Sequence, residues 1–109
     1  MAAAATPRAK PRGEESEKTK LTRQMRRDAG RWLSAQREKA GVTQAQVADH
    51  VGYRYYTFVS QVEGGHGRVP SEHFELWAQA IGVDPQAFAR KLLGFYEPEI
   101  HRLLFPGEG

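Results

Sequence analysis

Helix-stopping glycines and helix-starting residues follow one another along this chain at intervals that leave room only for short helices. Gly41 closes an amphipathic stretch as a left-handed cap would. Two residues on, Thr43-Gln44-Ala45-Gln46 has the form of a capping box, with Thr43 as N-cap and Gln46 placed to bond back to it. Gly52 stops that helix and Gly82 stops another. Asp84-Pro85 then pairs an N-cap with proline at the first helical position. No segment alternates polar and apolar residues as a half-buried strand does, and no internal repeat is present. The chain reads as all-α.

Apolar spacing assigns the faces. Met25, Ala29, Trp32 and Leu33 recur near a 3.6-residue period and predict a first helix over about residues 22–39. Val47, Ala48 and Val51 form the stripe of the second. The next stretch, "GYRYYTFVSQVEGG", places Tyr53, Tyr55, Tyr56 and Phe58 within six residues. A third helix over residues 55–63 divides these aromatics. Tyr55, Phe58, Val59 and Val62 turn inward, Tyr56, Thr57, Ser60 and Gln61 turn outward, and Tyr53 packs under the turn. After the glycine-rich loop "GGHGRVPS", a fourth helix from about residue 71 carries Phe74, Trp77, Ala78 and Ile81 inward. A fifth uses Phe88 and Leu92 and is expected to break at Gly94. Glu97-Pro98 starts a short extra C-terminal helix with Ile100, Leu103 and Leu104. Trp32 and Trp77 lie on apolar stripes and belong to the core.

With 109 residues, 39% hydrophobic and 27% charged, the chain supports one domain with a small core. It contains no cysteine, which removes disulfides, thiolate zinc sites and cysteine nucleophiles and suits a reducing compartment. No apolar run approaches the ~20 residues of a membrane span. The opening "MAAAATPRAKPRG" lacks the hydrophobic stretch of a secretory signal. A cytoplasmic, nucleoid-associated protein is expected. His50, His66, His73 and His101 have no metal-ligand spacing, and no Ser/His/Asp arrangement or phosphate-loop lysine stands out. No metal, no cofactor and no catalytic residue is expected.

Charge is unevenly placed. Residues 1–27 carry eight Lys and Arg against three Glu, whereas the remainder has eight against ten acidic residues. A basic end on a mildly acidic body suits a polyanion partner or a solvated tail. Residues 1–20, poor in large apolar side chains, read as a disordered basic arm.

The second and third helices, joined at Gly52, form a helix-turn-helix whose outward face offers amide, hydroxyl and methyl groups suited to base edges. The surrounding sequence resembles the DNA-binding domain of the lambda repressor and Cro family of bacterial and phage regulators, the XRE type. The resemblance covers about residues 29–93. It rests on Arg37 four residues before Gly41, Thr43-Gln44, Val47-Ala48, Val51-Gly52, Val59, Val62-Glu63, Gly65, Pro70 and "LWAQAIGVD". It implies a compact five-helix bundle whose third helix enters the major groove. Tyr56, Thr57, Ser60 and Gln61 would then contact bases, and Gln44, Arg54, His66 and Arg68 phosphates. Arg37 and Glu63 would form a structural ion pair. Compared with common family members, one extra residue lies between Gly52 and Glu63, and the regular face read back from Glu63 puts it in the turn.

These readings divide the chain into an arm (1–20), a DNA-binding domain (21–93) and a C-terminal helix and tail (94–109) available for dimerisation. The expected function is sequence-specific binding of double-stranded DNA by a homodimeric transcriptional regulator, with no separate ligand-sensing domain and no membrane. Two alternatives remain. Residues 93–105, "LGFYEPEIHRLLF", suit a protein-interaction module such as an antitoxin or an RNA polymerase adaptor. Tyr53, Tyr55 and Tyr56 suit a stacking platform for single strands, against which the helical phase leaves only Tyr56 outward.

Overall fold

The structure is a computed structural model that describes residues 16–107. Among them all regular structure is helical. The elements are α1 (Glu17–Ala40), α2 (Gln44–Val51), α3 (Thr57–Glu63), a 3-10 turn (Ser71–His73), α4 (Phe74–Ile81), α5 (Pro85–Tyr96) and α6 (Pro98–Leu104). No helix among these residues is long and apolar enough to cross a membrane.

α1 starts five residues before the apolar period places it, inside the segment expected to be disordered; residues 1–15 of that arm lie outside the described residues. Polar local contacts explain the earlier start. Ser16 Oγ caps the helix by accepting from the Thr19 N–H at 3.1 Å, and Glu17 complements the helix dipole in the first turn. Further along, Gln24 donates to Asp28 at 2.9 Å and Arg27 to Gln24 at 2.8 Å. Such i,i+3 and i,i+4 pairs extend a helix without apolar residues. α2 carries its capping box in both directions: Gln46 N–H to Thr43 Oγ1 at 3.0 Å and Thr43 N–H to Gln46 Oε1 at 2.8 Å.

The bundle closes as α2 packs on α4, α1 on α3 and α5, and α4 and α6 on α5. Leu33, Val47, Val59, Val62, Trp77 and Phe88 are fully buried where these helices meet. Burying a side chain of this size contributes about 1.5–3 kcal/mol. Trp32 and Phe74 lean on Phe88 from two sides, at ring distances of 5.9 and 5.7 Å.

Two further boundaries differ from expectation. α3 begins at Thr57 rather than at residue 55, so Tyr55 belongs to the turn and is 65% exposed instead of joining the core. Tyr53 takes the inward place. Its ring lies 4.9 Å from Phe58, its hydroxyl meets His73 Nδ1 at 2.6 Å, and burial, with Glu72 nearby, pushes its pKa up to about 12. Once Tyr53 anchors the turn, the chain from Arg54 to Tyr56 is displaced to the surface.

Gly94, expected as a breaker, lies within α5. The His101 ring of α6 packs over it, 3.4 Å from where a Cβ would stand. The stop comes at Pro98, whose ring biases Glu97 out of the helical region; Glu97 has φ −135° and ψ 67°.

Candidate nucleic-acid interface

The site grows from the C-terminal end of α3. Gly30 of α1 is buried against it so closely that a Cβ there would lie 2.3 Å from the Glu63 carbonyl oxygen and 2.7 Å from that of Val62. A glycine therefore lets two helices touch backbone to side. Beside this crossing, Arg37 Nε donates to Glu63 Oε2 at 2.7 Å and Arg37 Nη2 to Oε1 at 3.2 Å. Arg37 Nη1 reaches the Val42 carbonyl at 2.9 Å, and Gln44 Nε2 donates to Glu63 Oε1 at 2.9 Å. The Glu63 side chain is only 6% exposed and that of Arg37 13%. The hydrogen bond from Glu63 raises the Arg37 pKa against the opposing effect of burial. One carboxylate thus ties α1, the start of α2 and the end of α3 together.

This anchoring leaves one face of α3 pointing outward. Thr57, Ser60 and Gln61 are exposed, as is Tyr56 at 53% immediately before the helix. Val59 and Val62 on the opposite face are fully buried. The helix is uninterrupted from Thr57 to Glu63, and residues 53–56 lie outside both flanking helices. Tyr56 shares a shallow surface depression with Thr43, Gln44 and Ala45, which joins the outward face of α3 to the start of α2.

The four residues assigned to phosphates fall in different surroundings. Arg54 is exposed in the turn, its guanidinium 5.8 Å from the centre of the Tyr55 ring. His66 is exposed just after α3, and its backbone N–H donates to the Gln61 carbonyl at 2.8 Å. Gln44 is half-buried with its amide held by Glu63. As the first residue of α2, its backbone N–H has no acceptor inside the helix. Arg68 is not extended from the loop. Its guanidinium stacks 4.3 Å above the Tyr96 ring and lies 3.5 Å from Glu97. Tyr96 in turn accepts the Val69 N–H at 3.0 Å, so Arg68 belongs to the clasp that fastens the loop to α5.

Sequence reasoning missed three features of this surface. Tyr55 is exposed beside Tyr56, and Gly30 sets the α1–α3 distance. The first turns of α1 also bring Lys18, Arg23, Arg26 and Arg27 next to Gly64, Gly65 and His66. A glycine inside an otherwise good helix was the available signal for Gly30. Among the described residues no group of three or more His, Cys, Asp or Glu is placed to hold a metal.

No protein-family model matches this sequence, and no curated protein matches it at a significant level.

Proposed function

We propose that this protein is a sequence-specific, double-stranded DNA-binding transcriptional regulator, in which α2 and α3 are the helix-turn-helix of a lambda-repressor-like bundle. One observation carries the reading: a short helix locked into the bundle by Glu63 presents Thr57, Ser60 and Gln61 outward. A glutamine amide pairs with adenine in bidentate fashion, hydroxyls serve bases or phosphates, and a threonine methyl meets thymine. Exposed Arg54 precedes this helix and exposed His66 follows it, which suits contacts to the phosphates that flank the bases being read.

The test separates reading from holding. Gln61→Ala is expected to weaken binding to the cognate duplex, selected from a random pool, by about 1–3 kcal/mol and to leave scrambled duplex nearly unaffected. Equal weakening on both duplexes, or none on either, would remove α3 from the reading role. Because Tyr55 and Tyr56 are both exposed, single-stranded competitor belongs in the same titration. Competition stronger than that of duplex would favour base stacking instead.

α6 supports a homodimer. Phe95 packs against the core and the Phe105 ring lies 4.3 Å from the Arg90 guanidinium of α5, but Ile100, Leu103 and Leu104 are 46%, 70% and 60% exposed. Contiguous apolar surface of this kind marks an association site. Leu103→Glu with Leu104→Glu is expected to convert a sedimenting dimer to a monomer at micromolar concentration without lowering the melting temperature. A wild-type chain that is already monomeric, yet co-purifies with a second protein through these leucines, would favour the interaction-module reading.

A further inference from the structure

The turn between α2 and α3 is fixed at its base, and Tyr53 fixes it twice. Its N–H donates to the Ala48 carbonyl at 2.8 Å, and its ring lies among those of Phe58, His73 and Trp77 at 4.9, 5.2 and 6.0 Å. The two residues that follow, Arg54 and Tyr55, are exposed. The Arg54 guanidinium lies 5.8 Å from the centre of the Tyr55 ring, inside the about 6 Å over which a cation is drawn to an aromatic face. Both residues line a surface depression with Pro70 and with Thr57, the first residue of α3. Tyr56 lines a different depression, with Thr43, Gln44 and Ala45. The two neighbouring tyrosines therefore have different surroundings, and Tyr55 is the one that no core contact and no reading role accounts for.

The geometry points to Tyr55 as a positioning residue: its ring is a platform that holds the Arg54 guanidinium ready for a backbone phosphate of duplex DNA, beside the bases read by α3. The inference rests on the DNA-binding reading above. A guanidinium drawn to a ring face still offers its fork of N–H donors to phosphate oxygens. An arginine on a surface loses rotamer freedom when it binds, and a ring that already restrains it removes part of that loss. The ring itself stands on a base that Tyr53 anchors in the bundle, so the restraint is passed on to Arg54. The same contact occupies one face of Tyr55, which favours a phosphate of the duplex over a base stacked from a single strand. Arg54 is then the group that touches the phosphate, and Tyr55 acts through it.

The experiment is a double-mutant cycle in the full chain, read as affinity for the selected cognate duplex and for scrambled duplex. Tyr55→Ala is expected to weaken both duplexes by about two- to tenfold, and Tyr55→Phe, which keeps the ring, to stay near wild type. Arg54→Ala is expected to flatten log affinity against log salt by about 0.9, the value for one phosphate no longer neutralised. Adding Tyr55→Ala to Arg54→Ala is expected to cost nothing further, as coupled partners behave. Both side chains are exposed, so the variants should melt with wild type. If Tyr55→Ala melts early, Tyr55→Leu, which keeps apolar bulk without an aromatic face, takes its place in the cycle. Additive losses, an unchanged salt slope in Arg54→Ala, or a Tyr55→Phe loss as large as that of Tyr55→Ala each overturn the platform. So does a Tyr55→Ala loss confined to cognate duplex, which makes Tyr55 a base reader, or one larger on single-stranded DNA than on duplex, which makes it a stacking residue. In each of these cases Gln61→Ala still reports on α3. A wild-type chain that binds no duplex overturns both readings.

Discussion

Glu63→Ala is expected to destabilise the protein by about 2–4 kcal/mol, because it leaves the Arg37 guanidinium poorly solvated and without its carboxylate. Three donors converge on this carboxylate, from Arg37 Nε, Arg37 Nη2 and Gln44 Nε2, so the effect is felt in three helices at once. For a domain of this size the melting temperature should fall by about 10–20 °C. Thermal melting by circular dichroism measures it. Glu63→Gln should fall between wild type and Glu63→Ala, since one amide oxygen still accepts but the new NH2 faces other donors. The double variant Arg37→Ala, Glu63→Ala should be destabilised by less than the sum of the two single variants, as coupled partners are. A Glu63→Ala melt that coincides with wild type would show that the pair holds nothing.

Gly30→Ala is expected to cost about 2–3 kcal/mol, although alanine is the better helix former by about 1 kcal/mol. Its Cβ would meet the backbone oxygens of Val62 and Glu63 at 2.7 and 2.3 Å, so α1 and α3 must separate. Backbone atoms cannot swing aside as a side-chain tip can. Gly94→Ala supplies the contrast, since its Cβ would rest 3.4 Å from the edge of the His101 ring. That change should be neutral or stabilising by about 0.5–1 kcal/mol through helix propensity. Paired chemical denaturation of the two variants gives the comparison. The same sign in both would mean that the close crossing does not limit α1. In the folded fraction of Gly30→Ala, α3 should also be displaced, and on the proposed DNA-binding function affinity for duplex should then fall further than stability alone explains.

The outward face of α3 was legible because Val59 and Val62 bracket Ser60 and Gln61 at helical spacing, and burial of the valines leaves the polar pair outside. Tyr55 defeated the same reasoning. Periodicity extrapolates a helix backward until something stops it, and nothing local to residues 55 and 56 does. The stop is set by Tyr53, whose ring fits among Phe58, His73 and Trp77, neighbours up to 24 positions away in the chain. The start of α1 failed for the opposite reason: apolar periodicity is silent where a helix stands clear of the core, and Glu17–Gln24 is held by caps and polar pairs instead. Arg68 looked like a loop cation because the loop is glycine-rich. Its partners, Tyr96 and Glu97, come from the end of α5.

Caps, glycine stops and the side of each helix that seeks the core are short-range properties, encoded within four or five residues, and they are readable in the sequence itself. So is the pairing type of Arg37 and Glu63, through the family resemblance. How close α1 comes to α3, which tyrosine of the turn goes inward, and which cations remain beside the outward face are different in kind. Each depends on atoms brought together from distant parts of the chain, where one missing Cβ at Gly30 or one ring at Tyr53 chooses among arrangements that local preference leaves nearly equal.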